Sequence, residues 1–288
     1  MEQPLVSIAL AACNAERTLG TALRSLLAQS YSNWELLLYD DGSGDGTLEV
    51  TRDFSDPRIH LHADGRNRGL AARLNQAMES ARGGLFARMD ADDIACPQRL
   101  EKQVAYLSAH PEVDLLATGA LVIDDADRPL GLFPQAGESH RTICARPRAG
   151  FYFPHPTWMG RTTWFRRYRY RESLSKSQDQ DLLLRSYRES RFALLPEVLL
   201  GYRQERLGLG KVLQSRRAFA GVLWCAFTGY GEPLNAVRAV TAQAAKAAVD
   251  TFTIGSGLQR IIPGHRRHPL SEAEVLRWND CLRTGIQS

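Results

Sequence analysis

Residues 85–93 read Leu-Phe-Ala-Arg-Met-Asp-Ala-Asp-Asp. Leu85–Met89 has the length and apolar content of a buried strand, and it delivers Asp90, Asp92 and Asp93 at its carboxyl end. Pro97 then opens a helix where a missing N–H costs nothing, with Leu100, Val104 and Leu107 on its buried side. The same unit recurs on the N-terminal side. Leu5–Ala12 is a short apolar run, followed by Leu19, Ala22, Leu23, Leu26 and Leu27 at helical spacing. Trp34–Tyr39 is a second strand that runs into Asp40-Asp41-Gly42-Ser43-Gly44-Asp45-Gly46-Thr47, a composition that ends strands. Arg58–His62 is a third strand. Leu70, Leu74, Ala77, Met78 and Ala81 stripe a helix that Gly83-Gly84 is expected to cap, and Val113–Val122 is a fifth strand. Alternating strands and helices predict an α/β chain with a Rossmann-like, mainly parallel sheet flanked by helices. Ligands of such sheets bind beyond the carboxyl ends of the strands, where both acidic clusters, Asp40-Asp41 and Asp90–Asp93, fall.

Composition narrows the field. With 288 residues, 44% hydrophobic and 24% charged, the chain is globular and is not collagen-like, wholly disordered or a disulfide scaffold. A formal charge of +4 does not mark a nucleic-acid binder, and no nucleic-acid partner is expected. Cys13, Cys96, Cys144, Cys225 and Cys281 are widely spaced and lack zinc-site spacing, which predicts reduced thiols and a cytoplasmic protein. The N-terminus does not read as a signal peptide. The longest uncharged stretch, Ala218–Gly231, falls short of the roughly 20 apolar residues of a spanning helix, so membrane contact is expected to be peripheral at most, at the inner face.

Beyond about residue 130 prolines interrupt the pattern. Gln180–Glu189 then reads as helix and Ala193–Tyr202 as extended. Residues 211–252 read as helices broken at Gly229–Pro233, and the last thirty residues as a loosely held tail.

Asp90 and Asp92 alternate along a strand end and so point the same way. Their oxygens suit a hard divalent cation held jointly with a substrate's phosphates. Taken singly, this tripeptide also reads as a solvated turn, and Asp40-Asp41-Gly42-Ser43 as an ordinary one.

The order of the segments carries more than any one of them. Ala11-Ala12-Cys13-Asn14-Ala15-Glu16, then DDGSGDGT, then Asn67-Arg68-Gly69-Leu70-Ala71, then DADD followed by P-x-R-L-E-K-Q, then His155-Pro156-Thr157 and Gln178-Asp179-Gln180-Asp181-Leu182 together resemble the family 2 glycosyltransferases. The resemblance covers roughly residues 4–205. It implies the GT-A fold with a C-terminal helical extension: a catalytic domain over 1–210, divided into a nucleotide-sugar half (1–125) and an acceptor half (126–210), then helices and a tail over 211–288.

The resemblance also implies roles. Asp41 contacts the nucleobase, Asp90 the ribose or metal, and Asp92 the Mn²⁺ or Mg²⁺ that bridges the diphosphate. Asp179 is the general base. Ala11, Asn14, Glu16, Gly69, Arg73 and Ala91 complete the nucleotide-sugar site. The reaction implied is inverting transfer from a nucleoside diphosphate sugar, expected to be UDP-linked, to a saccharide or lipid-linked acceptor in surface polysaccharide synthesis.

Three departures from the family stand out: Cys13 where an aromatic is usual, Gln178 where Glu usually precedes the base, and only Tyr202-Arg203, Arg206 and Lys211 to represent its late basic and aromatic elements. Arg166 and Arg167, in a run of arginines from 161 to 171 interleaved with Trp164, Phe165, Tyr168 and Tyr170, are candidate acceptor ligands together with His155; the same run also reads as a solvated helix face over buried aromatics. Two other readings are a nucleotidyltransferase and a non-catalytic nucleotide-sugar- or nucleic-acid-binding protein. The first needs a glycine-rich loop after the first strand, and residues 11–18 contain no glycine.

Overall fold

The computed structural model describes residues 3–135, 137–204, 208–256 and 268–286. In chain order its elements are β1 (Val6–Ala12), α1 (Leu19–Leu27), β2 (Trp34–Asp40), α2 (Thr47–Arg52), β3 (Ile59–Ala63), α3 (Leu70–Ser80), β4 (Leu85–Asp90), β5 (Ile94–Ala95), α4 (Arg99–Ala109), β6 (Leu115–Ile123) and β7 (Pro129–Leu132). They continue with α5 (His140–Ile143), β8 (Met159–Arg161), α6 (Thr162–Tyr168), α7 (Gln178–Ser186), β9 (Phe192–Arg203), α8 (Leu209–Gly229), α9 (Pro233–Gly255) and α10 (Glu272–Ile286).

One nine-stranded sheet runs β3-β2-β1-β4-β8-β6-β9-β5, with β7 paired to β6. Its first four strands are parallel, as the periodicity predicts. Beyond β4 the sheet turns mixed: β8 is antiparallel to both β4 and β6, while β6 and β9 run parallel. Side chains alternate across the strands. Val6, Ile8 and Leu10 join the core under α1 and α4. Ala9, Leu37 and Tyr39 face the other way, into the core under α3, α6, α7, α8 and α9.

The register brings Ala11 beside both Tyr39 and Asp90. The ends of β1, β2 and β4 therefore form one rim, and the site is built there.

Three local expectations change. Gly83 is not a helix cap, since α3 ends at Ser80; a Cβ on Gly83 would lie 2.4 Å from the Leu5 carbonyl, so the glycine admits the start of β1. The C-terminal segment is not a loose tail over 272–286. It forms α10, whose Trp278 is 2% exposed and packs with Ile94, Leu121 and Ile123. Nor are all five thiols separate. Cys281 of α10 forms a disulfide with Cys96, 185 positions earlier, because α10 returns to the end of β5, a proximity that spacing does not show.

Candidate active site

The β4 end holds the central cluster. Asp90, Asp92 and Asp93 each place an oxygen within 4.8 Å of the others. Arg88 lies two residues before Asp90 on the same face of the strand, 2% exposed, and donates to Asp90 Oδ1. Its Nε and Nη1 are buried without a protein partner. From β9, the Arg203 backbone N–H donates to Asp93 Oδ1 at 2.9 Å, and Arg203 Nε donates to the Asp92 carbonyl at 2.8 Å. Asp93 is fully buried and its Oδ2 has no partner.

Concentrating carboxylates in a dry place disfavours their charged forms. Burial, reinforced by Asp90, pushes Asp92 up to about 6. Burial, then Asp90 and Asp92, raises Asp93 well above the carboxylate range. Arg99, from α4, is buried behind the cluster; that burial lowers it to about 9, opposed by Asp93. All-oxygen donors, mutual repulsion and one orphaned buried oxygen are the properties a hard divalent cation satisfies. The residues present therefore fit the Mn²⁺ or Mg²⁺ expected at Asp92.

The neighbouring loops are stitched together. Asn14 takes a left-handed backbone conformation (φ 53°); its N–H donates to Ser43 Oγ at 3.0 Å and its Oδ1 accepts from Gly44 N–H at 2.8 Å. The Ala15 N–H donates to Thr47 Oγ1, the Glu16 N–H to Asp45, and the Glu16 carboxylate accepts from Gly46 N–H.

Asp41 and Arg73 lie lower. The Asp41 carboxylate accepts from the N–H groups of Arg68 and Gly69 at the start of α3 and from Arg73 Nε at 2.9 Å. Arg73, 2% exposed, also donates to Asp64, the Arg66 carbonyl and Gln76. These two residues fix loop 64–69, with Gly69 at φ 85°.

Asp179 stands in the first turn of α7, two residues after Ser177, a left-handed residue at φ 60°. It does not cap the helix; its Oδ2 accepts from Gln180 Nε2 at 3.2 Å. Burial raises its pKa, opposed by the Gln180 hydrogen bonds and by Arg88. His155 places Nε2 2.7 Å from Tyr170 Oη. Burial, then Arg88, holds His155 well below its usual value, and burial pushes Tyr170 up. Both shifts favour the neutral imidazole and the neutral phenol, and the tautomer of His155 decides which of the two donates across this contact. Arg88 is felt by Asp179, His155 and the acidic cluster alike, so the base candidate and the metal candidate share one electrostatic neighbourhood.

Arg166 and Arg167 are not part of it. Arg166 donates to the Met78 and Ala81 carbonyls at the end of α3, and Arg167 pairs with Glu189. The end of α3 lies beside the start of β4, at the opposite edge of the sheet from Asp90. The rest of the run is likewise engaged: Arg161 with the Leu107 carbonyl, Arg169 with Glu79 and Arg171 with Asp181. Trp164, Phe165, Tyr168 and Tyr170 are buried. The arginines are structural fastenings over an aromatic core. Arg171 also borders a cleft, of about 500 Å³, which it shares with Asp181 of α7 and with Arg217 and Val222 of α8.

Sequence reasoning missed Arg88 and Arg99 and held Arg203 only loosely. Arg88 had a signal, since residues two apart on a strand share a face. Arg206 lies outside the described residues.

A mixed α/β sheet whose parallel half carries an Asp cluster at its carboxyl rim, with a separate buried carboxylate nearby, has the architecture of the GT-A glycosyltransferases. Residues 7–176 match the family Glycosyl transferase family 2, and the chain belongs to that family. EpsE of Bacillus subtilis, described as a glycosyltransferase, is 39% identical over 196 residues, 65% of this chain and 68% of its own. An Escherichia coli protein, UDP-Glc:alpha-D-GlcNAc-diphosphoundecaprenol beta-1,3-glucosyltransferase WfgD, is 40% identical over 107 residues, 37% of this chain and 42% of its own. Among solved structures, S. aureus TarS 1–349 superposes with a TM-score of 0.63 at 18% identity, covering 98% of this chain and 80% of that one. The mannosyltransferase PcManGT of Pyrobaculum calidifontis, solved with GDP-Man and Mn2+, gives 0.59 at 17% identity, covering 99% and 86%.

Proposed function

We propose that the chain transfers a sugar, with inversion, from a UDP-linked donor to a saccharide or lipid-linked acceptor during cell-surface polysaccharide synthesis. The observation that carries this reading is the meeting of the Asp90–Asp92–Asp93 cluster and Asp179 around Arg88. When bound there, a divalent cation held by Asp92 with Asp90 and Asp93 would offset charge on the departing diphosphate.

Asp179 takes the proton of the attacking acceptor hydroxyl. Its raised pKa makes it a better proton acceptor than an ordinary carboxylate, provided the working pH lies above that value. Gln178 leaves no second carboxylate immediately before it. Asn14, Glu16 and Asp41 hold the loops against which the nucleoside lies, with Ala11, Gly69 and Ala91 shaping the rim and Arg73 bracing it. His155 is a positioning residue that acts through Tyr170, whose phenol in turn feels Asp179. The acceptor enters by the α7–α8 cleft, where, among the described residues, Arg171 is paired with Asp181 and Arg217 is the cation left to meet an anionic group. A donor with UDP is supported by one relative named for UDP-glucose and by a neighbour solved with UDP.

The nucleotidyltransferase alternative has a structural objection. The N–H groups of Asn14, Ala15 and Glu16, which would cradle a triphosphate, are already given to Ser43, Thr47 and Asp45.

The test is thermal unfolding with each nucleoside diphosphate, with and without Mn²⁺, on wild type and Asp92→Ala. A ligand at 100 times its Kd stabilises by about 2.7 kcal/mol. Stabilisation by UDP that requires Mn²⁺ and disappears in Asp92→Ala is expected. No stabilisation by any nucleoside diphosphate at millimolar concentration overturns the reading.

A further inference from the structure

α9 is unusual for a helix that ends in water. Its inward side buries only the small Ala236 and Ala239 in the core and otherwise carries polar and charged groups. Gln243 is 2% exposed, and Asp250 is partly buried and pairs with Arg216 of α8 at 2.9 Å, while Arg216 Nη1 also donates to Gln243 Oε1. Lys246 is partly buried near the same pair, and burial lowers its pKa. The outward side carries Leu234 (73% exposed), Val237, Thr241, Ala245, Ala248, Val249 (59%) and Phe252 (68%). At 3.6 residues per turn these fall on one face, with Arg238 as its one charged member. On α8, Trp224 is 47% exposed.

Ordinary surface helices put charge outward, so this face is built to meet something apolar. No helix among the described residues is long and apolar enough to cross a membrane. Asp250 and Arg216 on the inward side likewise suit α9 to lying along a surface rather than through one.

Charge selects the occupant. The acidic side chains of the hairpin are already used, Asp250 by Arg216 and Glu232 by Arg188. The exposed charges left on it include Arg217 and Arg238. A second copy of the same face would bring no carboxylate for Arg238 and would bury it unpaired, which desolvation opposes. At a lipid surface Arg238 extends to a phosphate while its neighbours enter the acyl boundary.

We propose that the outward face of α9 seats the protein on an anionic phospholipid surface. The proposal goes beyond the transfer reaction and stands without it, since it rests on no residue of the rim. It also gives an acceptor carried in lipid a short path to the α7–α8 cleft, because α8 lines that cleft and packs on α9.

The experiment is flotation of the full chain with vesicles of phosphatidylglycerol and phosphatidylcholine, and with phosphatidylcholine alone. Three proteins are compared: wild type, Val249→Ser/Phe252→Ser, and Arg238→Glu. All substitutions are at exposed positions, and circular dichroism and nucleotide-dependent thermal stabilisation check that each variant is folded. Wild type is expected to float with the anionic vesicles and at least tenfold less with neutral ones. Both variants should lose at least tenfold of that binding while keeping nucleotide stabilisation. Wild type that fails to float with anionic vesicles overturns the proposal, as does floating that both variants retain. So does a dimer, seen by light scattering, that Val249→Ser/Phe252→Ser dissociates, because the face would then belong to a second copy. Failure of nucleotide binding with intact flotation would strike the catalytic reading alone.

Discussion

Replacing Gly201 with alanine adds one methyl group against the ring of Trp278. A Cβ built there lies 2.1 Å from Trp278 Cη2 and within 2.9 Å of two further ring atoms. Carbon atoms settle at about 3.5–4.0 Å, so the ring must withdraw by roughly 1.5 Å. It has little room, being 2% exposed against Ile94, Leu121 and Ile123, with Nε1 donating to the Asp127 carbonyl at 3.0 Å. Cys281, three residues on, is fixed to Cys96. If the ring stays, overpacking costs about 1–3 kcal/mol. If it is expelled, the loss approaches the roughly 3–5 kcal/mol of deleting a buried Trp. We expect about 2–4 kcal/mol, which for a chain of this size is roughly 5–12 °C in Tm.

The control is the same substitution where it should help. Gly221 lies exposed in α8 with no atom within 4 Å of a built Cβ, and Ala there should gain up to about 1 kcal/mol of helix propensity. Circular dichroism melts of Gly201→Ala, Gly221→Ala, Trp278→Ala and the Gly201→Ala/Trp278→Ala double variant decide the matter. Gly201→Ala should cost less than about 0.5 kcal/mol once the ring is gone. A Tm for Gly201→Ala within 1 °C of wild type, or a cost that survives removal of Trp278, refutes the packing account. The effect should also reach the rim. Asp127 accepts from Trp278 through its carbonyl and from Arg203 through its carboxylate, and Arg203 holds Asp92 and Asp93. Stabilisation by UDP and Mn²⁺ should therefore weaken in Gly201→Ala.

Asp179→Asn should lower transfer, or slow donor hydrolysis where no acceptor is supplied, by about 10²–10⁴-fold while nucleotide-dependent stabilisation persists. Wild-type activity should fall as pH drops through a value higher than that of a free aspartate, because the base must be ionised. The unfolded carboxyl ionises first, so Asp179 withdraws stability as pH rises through its folded value, and the Asn variant should melt higher at neutral pH. Cys96→Ala should cost about 2–5 kcal/mol, and adding reductant to wild type should bring its melt to the variant's; a reductant-insensitive melt excludes the crosslink. His155 stays neutral in the fold while the unfolded chain takes up a proton below about 6.5. Stability should thus decline as pH falls from there, and His155→Gln should flatten that slope in melts between pH 6.5 and 5.

The parallel half of the fold was legible because each of its signals is local: strand-length apolar runs, helical stripes and Asp-Gly turns. Asp90 and Asp92 were legible because a strand end fixes their direction. The mixed half depends on long-range pairing. β8 has three residues and β5 two, too few for periodicity to register. The arginine run stayed open to two readings because a guanidinium serves a helix-end carbonyl as readily as a phosphate, and only three-dimensional structure shows which it has found. α10, by contrast, had a readable start. Ser271-Glu272-Ala273-Glu274 is a capping box, with Ser271 and Glu274 hydrogen-bonded to each other's backbone N–H, and Trp278 and Cys281 follow at helical spacing.

The acidic cluster binds these threads through its cost. Three carboxylates within 4.8 Å, one of them fully buried with an unpartnered oxygen, oppose folding unless cationic charge reaches them. Arg88 and Arg203 supply part of it, and Asp92 still rises to about 6. The sheet, the aromatic core and the α10 contacts hold the cluster in place against that repulsion, and a divalent cation would relieve the remainder. A neutral amide at the most buried position should therefore act in opposite directions with and without metal. Asp93→Asn keeps an oxygen for the Arg203 N–H and removes the cost of holding that buried carboxyl protonated at neutral pH, so with EDTA it should melt above wild type, by roughly 1–3 kcal/mol. With saturating Mn²⁺ and UDP the order should reverse, since the carboxyl then gives up its proton and attracts the cation. A variant that melts below wild type in EDTA would show that the cluster is satisfied without metal, and the electrostatic case for the cation site would fail with it.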